Sequence, residues 1–113
     1  MKPLARIDSE DRDGVRIVRV VGEVDLSNAR EVMDTITAAI PQDDTPLLVD
    51  LGVTEYLDSA GIAMLFRLAD RMRLKRQELR MVVPADAPIR AVVRLTNLHK
   101  AVPVDDTIPA SIG

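Results

Sequence analysis

Apolar residues recur along this chain in two rhythms, dense short runs and stretches spaced at three and four, so strands and helices should alternate. Leu4 to Ile7 has the character of an edge strand, and Val15 to Val21, rich in β-branched residues, is a firmer one. Between them lies the acidic run Asp8 to Gly14, in which Asp13-Gly14 suits a tight hairpin turn. Val32, Met33, Ile36 and Ile40 then mark one face of a helix that Pro41 stops and that Asp25 or Ser27 would cap. A polar turn, Gln42 to Pro46, leads into Leu47-Leu48-Val49-Asp50-Leu51, a run with the length of a buried strand.

The stretch around which the rest is organised follows. Thr54 to Leu57 hands over to Asp58-Ser59-Ala60-Gly61, and Ile62, Leu65, Phe66, Ala69 and Met72 continue at helical spacing to about Arg76. Ser59 is thereby placed at a helix N-terminus, where unpaired N–H groups and a partial positive charge favour a capping oxygen and tolerate a phosphate. A serine before a helix is ordinarily only a cap. Neither Asp58 nor Ser59 has Glu or Gln three residues on, so no capping box is present. Gly61 leaves the joint without a shielding side chain, which favours access by a partner.

Beyond it, Leu79 to Val83 reads as a strand ended by Pro84, and Asp86 as the cap of a third helix carrying Ile89, Val92, Val93 and Leu95. Asn97 suits the left-handed residue that closes this helix, with Leu98 packing back. Val102 to Val104 is a short edge segment, and the tail from Asp105 to Gly113 forms one helical turn or frays. The order implies an α/β fold in one domain spanning residues 1–113. Its mixed sheet of four or five strands has an opening antiparallel hairpin followed by parallel crossovers, and three to four helices cover it.

Composition narrows the functions. The chain of 113 residues is 47% hydrophobic but only 2% aromatic, so its core is aliphatic and it lacks the rings on which single-stranded nucleic acid stacks. A net charge of -3 gives no overall pull on phosphate backbones, so direct nucleic-acid binding is not expected. The absence of cysteine removes disulfides and thiolate chemistry. No apolar leader follows Met1, and no run approaches the roughly 18 residues of a membrane span, so a cytoplasmic protein without membrane insertion is expected. The acidic run fails as a calcium loop. With Gly14 in the sixth place the twelfth is Val20, where a bidentate Glu is required. Arg71, Arg73, Lys75 and Arg76 complement the negative end of the second helix.

Two blocks carry a resemblance to a known family. Gly22-Glu23-Val24-Asp25-Leu26-Ser27-Asn28-Ala29 and Val49-Asp50-Leu51 through Leu57-Asp58-Ser59-Ala60-Gly61-Ile62 resemble the STAS domains, within them the stand-alone anti-sigma factor antagonists of bacteria. The likeness covers nearly the whole chain and weakens after Asn97, where the family usually adds a longer final helix. The resemblance implies that Ser59 is a phosphoacceptor, with Asp58 beside it and Asp25 nearby in space. It further implies that Asp58, Asp25, Ser27, Ala60 and Gly61 serve recognition of the partner. That partner would be an anti-sigma factor with serine kinase activity. It is bound by the unmodified protein to free a sigma factor, and a separate phosphatase reverses the phosphorylation.

The residues fit that division of labour. Neither Gly-x-Gly-x-x-Gly nor a Gly-Lys-Ser/Thr loop occurs, so no cofactor is expected here and nucleotide and magnesium would come from the partner. An enzyme is not expected. A serine hydrolase would want Gly-x-Ser-x-Gly, whereas Leu57 stands in the first place and His99, the sole histidine, is distant in sequence. The remaining alternative is a non-phosphorylated STAS scaffold in a signalling assembly or a lipid-transport complex.

Overall fold

The structure, a computed structural model, describes residues 3–108. Strands β1 (Ala5–Arg12) and β2 (Val15–Val24) form the hairpin. Asp13 and Gly14 both take positive φ, 53° and 79°, as the expected tight turn requires. Strand β1 runs through the acidic segment instead of stopping at Ile7. Its charges find partners on the facing strand: Asp11 receives Arg16 at 2.8 Å, and Glu10 lies 3.8 Å from Arg19.

Helix α1 (Ala29–Ala39) crosses over to β3 (Leu47–Asp50), which lies parallel to the first half of β2 with Arg16 opposite Leu47. The second half of β2 pairs with a further strand, β4 (Thr54–Leu57). Long β2 thus carries two short strands end to end on one side. Asp50 holds the turn between them, accepting from Gly52 N–H at 2.9 Å and from Arg19 Nε at 3.0 Å. The Thr54 hydroxyl, fully buried, then ties β4 to β2 by donating to the Val20 carbonyl at 2.7 Å.

Helix α2 (Ser59–Leu74) leads to β5 (Leu79–Val82), which pairs with β3. Two short helices, α3 (Arg90–Leu95) and α4 (Leu98–Ala101), precede β6 (Val104–Asp105), parallel to β5. The sheet order is β1-β2-β3-β5-β6, with β4 on β2. Asn97 is left-handed at φ 61° and Leu98 is fully buried, as expected for the close of α3.

The α/β fold with its antiparallel opening and parallel remainder agrees with expectation, but three details differ. The sheet has six strands, not four or five, because β4 is too short to show a period and exists through its pairing with β2. Asp86 caps nothing: α3 starts later, after Ile89, and Leu95 is exposed instead of packed. Neither Asp25 nor Ser27 caps α1, whose N-cap residue is Asn28. Of the tail, Asp105 lies in β6, while the expectation for residues 109–113 lies outside the described residues.

The main core lies between the sheet and the helices. Val18, Val20, Val49 and Met81 from the strands meet Val32, Ile36, Leu65, Leu68 and Met72 from α1 and α2. A smaller cluster, Val15, Ile17, Leu48 and Val82, is packed by Ile108.

Candidate functional site

Two loops meet at one end of the sheet because β2 and β4 run parallel and stop together. Val24 is paired with Leu57, and Asp58 N–H still reaches the Val24 carbonyl at 3.3 Å. After that point the chains diverge, one into residues 25–28 ahead of α1 and the other into α2. Asp58 joins them. Its Oδ1 accepts from Gly61 N–H at 2.9 Å as the N-cap of α2, and its Oδ2 accepts from Leu26 N–H at 3.0 Å.

The loop 25–28 is fixed from within as well. Asp25 Oδ1 accepts from the Ser27 N–H at 2.8 Å and from the Ser27 hydroxyl. Asn28 Oδ1 accepts from Asp25 N–H at 2.9 Å, and its amide nitrogen donates to the Glu23 carbonyl at 2.9 Å. The Ser27 hydroxyl, and then its N–H, hold the Asp25 carboxyl below its ordinary 3.8, with partial burial opposing them and an Asn28 backbone hydrogen bond adding to the lowering. Because the folded pKa is depressed, this stabilisation is fully present above about pH 4 and fades as pH falls through the lower folded value. An NMR titration of the Ser27 amide should show a midpoint below 3.8; a midpoint above it would contradict the assignment.

Ser59 is the first residue of α2 and is exposed. Its hydroxyl faces water, with neither carboxylate bonded to it. Asp58 and Asp25 make their described hydrogen bonds to backbone and to Ser27, so in this structure they hold the start of α2 and the 25–28 loop. Gly61 departs from the expectation of an open approach, because it is buried. A Cβ there would stand 2.8 Å from the Val24 carbonyl and 3.1 Å from Leu57 Cδ2. The glycine lets α2 seat its first turn on β2, which is a packing requirement. Ala60 is half-buried and Ser27 is exposed.

Removing the Asp58 carboxylate tests this construction. Asp58→Ala deletes the cap and the tether, and urea unfolding should show a loss of about 1–2 kcal/mol with an unchanged m-value. Asp58→Asn keeps a good cap but places an amide donor or a poorer fit opposite Leu26 N–H, so it should lose less than about 1 kcal/mol. Equal losses for the two would show that Asp58 does not cap α2.

The hydrogen bond from Leu26 N–H to Asp58 brings the 25–28 loop to the start of α2, and sequence reasoning singles out neither Leu26 nor Asn28. Asn28 was readable as the last capping residue before the helical period begins. Leu26, an isolated leucine in a polar run, is 82% exposed. His99 lies in α4 and is exposed. Among the described residues no cluster of His, Cys, Asp and Glu could hold a metal ion, and no helix is long and apolar enough to cross a membrane. A surface hollow of about 650 Å³ lies between Thr37, Pro41, Arg71 and Gln77, at the C-terminal ends of α1 and α2, away from Ser59. Ser59 does not line that hollow and is exposed at the start of α2.

A six-stranded mixed sheet with an exposed serine opening the helix after β4 defines a small α/β module. The chain belongs to the STAS domain family, whose model matches residues 6–110. It is 29% identical over 62 residues to the anti-sigma-F factor antagonist RsfB of Mycobacterium tuberculosis, covering 55% of this chain and 51% of that protein. The chain thus spans about half the length of that curated relative. The crystal structure of an anti-sigma factor antagonist from Mycobacterium paratuberculosis superposes with a TM-score of 0.73 at 29% identity, covering 92% of this chain and 87% of that one. The anti-sigma factor antagonist SpoIIAA in its unphosphorylated form shares the fold, with a TM-score of 0.66 at 17% identity over 88% of this chain and 87% of that one.

Proposed function

We propose that this chain is an anti-sigma factor antagonist that binds an anti-sigma factor through the rim around Ser59 and is switched off when that serine is phosphorylated. The observation that carries the reading is the placement of Ser59: exposed, at the first position of a sixteen-residue helix, beside a loop immobilised by Asp58. The similarity to antagonists from two mycobacteria supports the partner class.

The chain acts as a ligand and substrate, without catalysis of its own. Its partner supplies kinase activity, ATP and magnesium, and a separate phosphatase restores the serine. Phosphorylation adds about 1.5 to 2 negative charges. A kinase holds the phosphates of its nucleotide beside the acceptor hydroxyl, so the new phosphoserine faces negative charge across the interface. Ser27, Asp25, Asp58, Ala60 and Gly61 shape and support the contact surface, in keeping with the hydrogen bonds and packing they make.

The test is to add the purified chain to complexes of the host's anti-sigma factors with their sigma factors. Release of one sigma factor by the unmodified chain, and no release by the chain phosphorylated at Ser59, is the expected result. Failure to bind any anti-sigma factor, by a chain shown to be folded, would overturn the reading.

A further inference from the structure

We infer that Leu26 is the apolar anchor of this rim and that the partner receives it in an apolar pocket edged with lysine or arginine; this rests on the reading of Ser59 as the docking site. Three leucines in the structure are almost wholly exposed: Leu26 at 82%, Leu74 at 81% and Leu95 at 83%. Leu74 and Leu95 end helices α2 and α3, where a stray apolar residue needs no special explanation. Leu26 differs in how it is held.

Its own N–H is bonded to Asp58, the residue before Ser59, and its neighbours on both sides are fastened by the Asp25–Ser27 and Asn28–Glu23 hydrogen bonds. A loop so fixed, with its one large apolar side chain pointing into water, has already met the ordering cost that a flexible loop would meet on binding. An exposed apolar side chain already held in place can fill a pocket on a partner at little further ordering cost. The surroundings state the chemistry of the pocket's edge. Glu23, Asp25, Glu55 and Asp58 lie on the segments that converge here, and the β2–β4 register sets Glu23 opposite Tyr56, itself half exposed. Glu23 and Glu55, both exposed, are complementary to lysine or arginine at the edge of an apolar hollow.

The experiment compares the affinity of wild type, Leu26→Ala and Leu74→Ala for the anti-sigma factor that wild type binds, by calorimetry at two salt concentrations. Leu74 lies at the far end of α2, roughly 22 Å along the helix from Ser59, and serves as the control for general loss of surface apolarity. Both substitutions are at exposed positions, so unfolding curves matching wild type are expected. The inference calls for Leu26→Ala to weaken binding about 30-fold or more, for Leu74→Ala to stay within about threefold, and for wild-type affinity to fall as salt rises. Wild-type binding that Leu26→Ala leaves intact would overturn the anchor while sparing the proposed function. Equal weakening by the two alanines, or an affinity indifferent to salt, would also overturn it. Absence of wild-type binding to every anti-sigma factor would overturn both.

Discussion

Phosphorylating Ser59 is expected to weaken the complex with the anti-sigma factor by a few hundred-fold without changing the fold. At an effective dielectric near 20 and a separation of about 8 Å, each pair of unit charges contributes about 2 kcal/mol of repulsion. A phosphoserine carrying about 1.5 to 2 charges therefore loses about 3 to 4 kcal/mol against a single opposing negative charge. Ser59→Asp brings one charge and should lose about 2 kcal/mol, roughly thirty-fold, while Ser59→Ala should bind within a few-fold of wild type. The graded series separates charge from shape. If the phosphorylated chain bound as tightly as the unmodified one, Ser59 would lie outside the interface, where salt screens it beyond a distance of about 10 Å. Because Ser59 is exposed and its hydroxyl free of intramolecular ties to Asp58 and Asp25, the phosphate can be added without disturbing their hydrogen bonds.

Gly22→Ala is expected to be strongly destabilising through backbone strain and overpacking. Gly22 has φ 107°, a region that residues with a Cβ rarely enter, and it sits where the register of β2 against β4 shifts. An added Cβ would stand 2.3 Å from the Leu4 carbonyl, on backbone that cannot swing aside. Strain and overpacking each cost about 1–3 kcal/mol, so a loss of roughly 2–6 kcal/mol is expected from a total of about 5–15. Gly14→Ala provides the comparison: its φ is also positive, at 79°, but nothing lies within 4 Å of its Cβ position. Urea unfolding should therefore rank Gly22→Ala well below Gly14→Ala, and equal losses would remove the close approach as the cause.

The parts of the molecule that could be read locally are those whose cause lies close by in the chain. The hairpin turn was legible because Asp13-Gly14 is a local solution to a local demand for positive φ. The start of α2 was legible because Asp58 and Ser59 border an unbroken helical period. Strand β4 was not. Thr54 to Leu57 has no alternation of its own and becomes a strand through backbone pairing to Gly22 and Val24 and through the buried Thr54 hydroxyl on Val20. Gly61 was misjudged for a related reason: the Val24 carbonyl that forbids a side chain there is 37 residues away in the chain. The N-cap position of α1 was misplaced because Asp25, Ser27 and Asn28 are all capping types, and none of their side chains bonds the helix's own N–H groups. Asp25 and Ser27 bond each other, which leaves Asn28 in the N-cap position.

Asp58 connects these levels. One carboxylate caps a helix and holds a loop from another part of the chain, so the exposed Leu26 and the exposed Ser59 are presented in a fixed relation. On the proposed reading, a partner meeting that rim would meet both side chains already placed, and a phosphate on Ser59 would change the encounter without refolding.

The most direct measurement of the central claim is the intact mass of the chain after incubation with ATP, magnesium and each candidate anti-sigma kinase of its host, beside Ser59→Ala. The account predicts the mass of one phosphate gained by wild type with one of these kinases and none gained by Ser59→Ala. Phosphate on both proteins, or on neither while a stable complex with one of the candidates still forms, would contradict the switch and leave a scaffold that binds without being modified at Ser59.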